Sequence, residues 1–493
     1  MLAKGRARDA RRIFLLGILG VTLPAVAQLA ASDWITAGGY AEFHVVIPEQ
    51  ASETLLYAAE MFVKYWKACT GHEIEVSAVN EGRVNVWLGQ EVMTPDLLPQ
   101  EELDGLGEEE GLVRSFEPPP RAKKQGAAKQ LLIAGATDQG TLDAVFEFFE
   151  RFMRVRWLAP GVVHTPHARF TMPQMDHRFR PCFAYRFLGA GPGLEVQALE
   201  FWRAHRFREH PMQPILTRLA TTHTHKGPGQ GTRQAQPGRW LLCGRRPEVA
   251  ETLWAKLEAS IRASHSHSNP AAAERAQRLG WDAVAGLWSA SLLEGAIPCS
   301  CPACQELAAR EDSPMAPLLS LANTIGEKLD QAFPERSYRV HVLACGPRRA
   351  PPKTLPPRDS VMIQICTDGC DPSCPLDNPD SAVNAAFVAD LKGWANKTKH
   401  LWIWDPAAHY DMLAPARMAQ VIQSNLQLFD QYGAEGVCAW VSDLAHPAPS
   451  QPAALRNYLL ARLLWNPDAR TDWLVNEFQQ HYKTPEASAA AKP

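Results

Sequence analysis

The sequence predicts an α/β protein: a small N-terminal α/β domain, then a (β/α)8 TIM-like barrel with C-terminal helices. Three observations carry that expectation. Over residues 33–175, short strand-like runs mix with two helix-like segments, the pattern of a two-layer α/β unit. Over residues 180–482, eight apolar runs of strand character appear, with amphipathic helical segments between several of them, as a (β/α)8 barrel requires. The chain then closes with two further amphipathic stretches, "ALRNYLLARLLWNP" and "TDWLVNEFQQHY".

Residues 1–27 read as a signal peptide. Lys4, Arg6, Arg8, Arg11 and Arg12 form a positive leader, "IFLLGILGVTLPAVA" is an apolar run, and Ala25-Val26-Ala27 is a small-x-small cleavage site. Arg11-Arg12 with Phe14 and Leu15 matches a twin-arginine signal, although Ala10 stands where a polar residue usually precedes it. Sec export stays open, as does an uncleaved anchor. The expected location is exported, periplasmic or extracellular, with no stable membrane span after cleavage.

In the first domain "EFHVVIP" alternates as a strand does. "SETLLYAAEMFVKYWKACTG" reads as a helix, with Ser52 as N-cap, an apolar face through Leu55, Ala59, Phe62 and Trp66, and Gly71 as the stop. "EIEVSAV" and "RVNVWLG" are strands joined by an Asn-Glu-Gly turn. Residues 90–129 are acidic, then Pro-rich, then basic, a surface insertion holding one strand at "GLVRSF". "QLLIAG", "TLDAVFEFFERFM" and "VRWLAP" follow as strand, helix and strand.

The eight barrel strands are read at "CFAYRFLGA", "PILTRLATT", "RWLLCG", "AVAGLWSAS", "YRVHVLAC", "VMIQICT", "HLWIWD" and "EGVCAWVSD". Helices are read at "PEVAETLWAKLEASIRA", "SPMAPLLSLANTIGEKLDQAF", "NAAFVADLKGWANK" and "APARMAQVIQSNLQLFDQYG". Residues 483–493, rich in Ala and small polar residues, read as a disordered tail.

Composition narrows the function. Of 493 residues, 46% are hydrophobic and 21% charged, ordinary for a globular protein. A formal charge of -3 and a pI near 6.6 leave no electrostatic footprint for nucleic acid. Fifteen Trp are many for this length, and indole faces suit both cores and sugar rings.

"TLDAVFEFFERFMRVRWLAPG" resembles the end of the α/β domain that precedes the barrel in α-glucuronidases and β-hexosaminidases. "CSCPACQEL", "ANTIGEKLDQAFPE", "LWIWD" and "YLLARLLWNPD" together resemble a bacterial family of exported, glycoside-hydrolase-like proteins of unknown function. The resemblance runs from about Glu42 to Tyr482. It implies a carbohydrate ligand and a glycosidase-like activity on a polysaccharide or glycoconjugate. The alternative is a non-catalytic carbohydrate-binding protein with a degenerate site. Two departures stand out: Leu293-Glu294 replaces the Asn-Asp pair expected before the cysteine run, and "AWVSDLAH" offers only Asp443 where an acidic stretch is expected.

Barrel chemistry sits at the C-terminal ends of strands. Those ends carry Glu294, Asp368, Asp405 and Asp443. Glycoside hydrolysis needs an acid for the leaving oxygen and a second group for the sugar carbon. Glu294, after an apolar strand, is the candidate acid, with Asp405 or Asp443 as its partner. Trp402 and Trp404 share one face of "HLWIWD" and are candidate sugar platforms or core residues, as are Trp440 and Trp288. His223 and His225 lie in "TTHTHKGPGQG", where a substrate-contacting loop or simple exposure is favoured over a metal site. That glycine-rich run lacks the Lys-Ser/Thr of a phosphate loop, and no cofactor is expected.

Cys299, Cys301 and Cys304 fall within six residues, and "CTDGCDPSC" adds Cys366, Cys370 and Cys374. Zinc spacing, a disulfide between the two groups, and free thiols all remain open. Cys299, Cys301, Cys304 and Cys370 are the weak metal candidates. The expectation is that the first group lies near the second.

Overall fold

A computed structural model describes residues 43–78, 84–90, 105–107, 110–116, 130–167, 174–189, 196–207, 213–214, 243–267, 287–289, 299–335, 338–441, 444 and 450–483. The protein is mixed α/β, built on two largely parallel sheets. The signal peptide, His223, His225, Glu294 and Asp443 lie outside the described residues, as does the tail from residue 484. Among the described residues no helix is long and apolar enough to cross a membrane.

The first sheet contains β1 (Phe43–Val46), β2 (Glu75–Ser77), β3 (Val84–Leu88), β4 (Gly111–Phe116), β5 (Gln130–Gly135) and β8 (Asp176–Phe179), in the order β2-β1-β3-β5-β4-β8. The first four in that order are parallel, and β4 runs antiparallel to both of its neighbours, β5 and β8. Helix α1 (Glu53–Thr70) begins where the Ser52 hydroxyl accepts the Leu55 N–H at 3.1 Å. It ends at Gly71, left-handed at φ 76°, whose N–H bonds the Lys67 carbonyl. Helix α2 (Asp138–Arg151) packs beside it, Phe62 stacking on Phe148 at 5.5 Å. β6 (Arg156–Ala159) and β7 (Val162–His164) form a separate hairpin.

The second sheet contains β9 (Tyr185–Gly189), β10 (Gln213–Pro214), β11 (Leu287–Ser289), β12 (Arg339–Ala344), β13 (Val361–Cys366), β14 (Leu401–Asp405) and β15 (Gly436–Trp440). Its order is β10-β11-β12-β13-β14-β15-β9, all parallel. From β10 to β15 each strand lies beside its successor in the chain, and β9, the first in the chain, pairs with β15, the last. Of the eight expected strands, the third lies mostly outside the described residues. β10 pairs directly with β11, and of "RWLLCG" only Cys243 and Gly244 are described, in irregular backbone.

Connecting helices are α3 (Val196–Ala204), α4 (Pro247–His267), α5 (Pro302–Arg310), α6 (Ala316–Ala332), α7 (Ala382–Ala395) and α8 (Pro415–Gln431). Helices α9 (Gln451–Trp465) and α10 (Thr471–His481) follow. Val361 lies under Gly326 of α6, so Val361, Ile363 and Ile365 form the helix-covered side of β13, all three fully buried. By the period of two, Met362, Gln364 and Cys366 face inward.

Register carries that assignment across the sheet. Gln364 is level with Trp402 and Cys366 with Trp404. Trp404 is level with Cys438, and Cys438 with Phe187. The inner face is therefore Tyr185, Phe187, Gln364, Cys366, Trp402, Trp404, Cys438 and Trp440.

One apolar core runs through both sheets. Every residue of α2 from Gly140 to Glu150 is buried, because this helix has protein on both sides. Its acids meet arginines from later in the chain. Arg206 bonds Glu147 at 2.8 Å and Glu150 at 2.7 Å. Arg462 of α9 reaches Glu150 at 2.6 Å, and Arg156 of β6 pairs with Glu477 of α10 at 2.5 Å. Burial alone would raise the Glu150 carboxyl, but Arg462, Arg206 and Arg156 hold it well below the usual range.

Candidate functional site

Two groups of side chains stand out among the described residues. The first is the inner edge of β14 and β15. Trp404 and Trp440 are half-buried, and their rings stack at 5.2 Å with an interplanar angle of 22°. This pair is an aromatic wall at the C-terminal edge of two adjacent parallel strands. Trp402, two residues deeper, is 8% exposed and stacks on Tyr185 at 4.1 Å. Trp402 is thus a buried, stacked residue of the inner face. Cys366, also at the inner edge, is hydrogen-bonded to Cys345, which with burial raises its thiol pKa. The backbone of Trp288 belongs to β11.

Asp405 ends β14 on the opposite face. Its neighbours on that face, Leu401 and Ile403, are buried under the helices. One Asp405 oxygen accepts from Thr367 Oγ1 at 2.6 Å, the other from the Tyr410 hydroxyl at 3.0 Å. Asn425 of α8 donates to the Tyr410 oxygen at 3.1 Å. Asp405 is 4% exposed, so its carboxylate ties the β13 and β14 ends to α8. Burial raises the Tyr410 hydroxyl pKa well above its usual value and lowers that of His409. Tyr410 therefore serves as a neutral donor.

Asp368 is exposed on the turn after β13. On the same turn Cys370 faces Arg349, with Nη1 to Sγ at 3.9 Å. Burial pushes the Cys370 thiol up to about 11. Arg349 itself is held by Asp390 at 2.8 Å. Thr367, Tyr410 and Arg349 carry no motif and were not singled out by sequence pattern.

The second group is sulfur. Cys243, Cys299, Cys301 and Cys304 bring their four Sγ atoms within 4.8 Å of one another. The Cys243 sulfur lies 3.7 Å from those of both Cys301 and Cys304. This corrects the expected partnership: the fourth sulfur is Cys243, not Cys370 or another member of "CTDGCDPSC". All eleven cysteines are free thiols. Cys243 and Cys304 are buried, Cys299 and Cys301 half-buried. Burial would raise the Cys301 thiol, but hydrogen bonds to the Cys304 backbone and to neighbouring thiols bring it down to about 7. Cys304 is raised by burial and by the same neighbours.

A family model described as a domain of unknown function, DUF4838, matches residues 163–493. Among curated proteins, none matches the chain. Solved structures to which the chain is similar include a family GH115 4-O-methyl-α-glucuronidase with specificity for decorated arabinogalactans. It is 10% identical, covers 89% of this chain and 61% of its own, and has a TM-score of 0.49. The chain thus spans less than two thirds of that enzyme's length. An N-acetyl-β-hexosaminidase of Streptomyces plicatus is 12% identical, with 90% and 93% covered and a TM-score of 0.43. A GH89 protein from Clostridium perfringens, in complex with its substrate GlcNAc-α-1,4-galactose, is 9% identical, with 87% and 51% covered and a TM-score of 0.42.

Proposed function

The chain belongs to the DUF4838 family, and on that premise we propose that it is an exported, carbohydrate-active protein of glycoside-hydrolase type. Its sugar seat is the Trp404–Trp440 wall at the mouth of a (β/α)8-type barrel. The observation that carries the reading is that stack, half-buried on the inner face of β14 and β15. A pyranose presents an apolar C–H face that gains by leaving water against an indole. The strand order, with β9 beside β15, supports closure of the barrel and hence a mouth at that edge. The sequence supplies Glu294 after β11 as the acid for the leaving oxygen, and Asp443 after β15 as the second carboxylate. In the sequence His223 follows the expected second strand, and Trp288 belongs to β11. The ligand is a polysaccharide or glycoconjugate.

A second reading follows from Asp405. With both its oxygens bound by Thr367 and Tyr410, one candidate carboxylate is withdrawn from the mouth. A protein that binds sugar without cleaving it fits that arrangement.

The two readings separate in one experiment. Glycan-array binding and turnover of glycoside panels are measured for wild type, Glu294→Gln and Trp404→Ala. The hydrolase reading expects Glu294→Gln to lower turnover at least about a hundredfold with binding retained. Both readings expect Trp404→Ala to weaken binding about tenfold or more, the factor that 1.4 kcal/mol represents. Binding without turnover selects the second reading. Unchanged binding in Trp404→Ala removes the wall as the seat.

A further inference from the structure

The sulfur cluster points to a binding site that the sugar reading does not need. We propose that Cys243, Cys299, Cys301 and Cys304 bind one zinc ion in a closed, structural tetrathiolate site.

The geometry is the first argument. Four sulfurs bonded to zinc at about 2.3 Å occupy the corners of a tetrahedron whose edges are about 3.8 Å. The two inter-sulfur distances from Cys243, to Cys301 and to Cys304, are both 3.7 Å, and no pair exceeds 4.8 Å. A disulfide would need about 2.05 Å and would take the sulfurs two at a time. Here one sulfur stands equally close to two others. The arrangement has a centre, not a pair of bonds.

The local backbone is the second argument. Cys301-Pro302-Ala303-Cys304 opens α5, with Pro302 in its first turn. The Cys304 and Gln305 N–H groups both turn back to the Cys301 carbonyl at 3.0 Å. This tight turn aims the Cys301 and Cys304 side chains at one point, and Cys299 enters from the preceding extended segment. The opposite corner comes from Cys243, at the entry to α4. Beside it, Gly244 presses on α6: a Cβ there would lie 1.8 Å from the Pro317 carbonyl oxygen. Only glycine lets the chain pass close enough to deliver Cys243.

The donor set is the third argument. Four thiolates leave no coordination position for water or substrate, so the ion would hold structure and perform no chemistry. On binding, four S–H protons are released and four S–Zn bonds form, leaving a centre of net charge 2− at the N-terminus of α5. The positive end of that nine-residue helix favours such a charge. The ion would tie two segments that are 58 residues apart in the chain. It would also pin Cys299, the first described residue after β11. Zinc content does not depend on sugar binding, so this inference and the functional reading fail separately.

The test uses the full purified protein. Metal analysis of protein prepared without chelator should give about one zinc per chain. Cys304→Ser and the less buried Cys299→Ser should each lower that at least about tenfold, whereas Cys69→Ser should not. A strong chelator should lower the melting temperature by about 5 °C or more, and added zinc should restore it. Wild type reloaded with cobalt(II) should show the thiolate-to-metal charge-transfer bands of a tetrahedral tetrathiolate, which keeps the test decisive if a variant fails to fold. Unreduced, denatured protein should release all four thiols to alkylation once chelator is present. Protein that holds less than about a tenth of a zinc per chain and takes up neither zinc nor cobalt when reduced overturns the proposal. So does zinc that persists undiminished in Cys304→Ser, or a set of four cysteines that alkylates only after reductant.

Discussion

His205 is a histidine kept neutral inside the protein. It is 2% exposed, and its Nε2–H donates to the Trp157 carbonyl at 2.8 Å. Phe201 and Tyr458 stand against its ring. Burial pushes its pKa down to about 3, against the upward pull of Glu150 and the Trp157 carbonyl. In the unfolded chain the same ring takes a proton near pH 6.5. Between those values the unfolded state carries one more proton, so acid favours unfolding. This contribution is complete above about pH 6.5 and fades as pH falls, by at most about 1.4 kcal/mol per pH unit. Urea titrations from pH 7 to pH 4 should show stability falling with acid. His205→Gln, which keeps a donor for Trp157, should flatten that slope. An unchanged slope in the variant would place the effect elsewhere, for instance at Glu150.

Single elements show how sharply backbone contacts constrain this fold. Gly135 ends β5 where α2 begins, and a Cβ there would lie 2.1 Å from the Gly140 carbonyl carbon. Backbone cannot swing aside as a side chain can. Gly135→Ala should therefore cost about 2–3 kcal/mol or more by prising the strand from the helix, read as a shift in urea midpoint. A variant as stable as wild type would mean the two elements separate freely.

β5 was legible beforehand to the residue, because "QLLIAG" is an unbroken apolar run ending at that glycine. α1 was legible from Ser52 to Gly71, since each cap has a residue type that suits it. β7 and β8 were not: "VVH" and "DHRF" have no alternation that isolates them, and pairing with neighbours makes them strands. α5 was hidden inside a run read only for its sulfur. For Asp405 the needed signal was present, because alternation along "HLWIWD" sets it opposite Trp404. Being last in a strand says where a residue sits along the sheet, not which side it faces. Cys243 had no such signal, since its partners lie far along the chain and only folding brings them together.

At the scale of the molecule, α2 joins the two sheets. Its acids are neutralised by Arg206 and Arg462, and Tyr458 and Arg156 share Glu477. Removing one member of such a buried set leaves its partner charged and dry. Arg206→Met should cost about 3–5 kcal/mol for that reason. Calorimetry should show a single unfolding transition for wild type, because one apolar core spans both sheets. Two resolved transitions would mean that the sheets are independent, and the cost of Arg206→Met should then appear in only part of the profile.

The same seam sets a timetable. A ribosome delivers the first sheet early, yet Arg156 meets Glu477 only after 321 further positions of chain. At about 5–20 residues per second that delay is on the order of 15–60 s. Throughout it, Arg206 can already meet the acids of α2, but Arg156 waits for Glu477 and Glu150 for Arg462. The N-terminal sheet is thus first to be made and among the last to be finished.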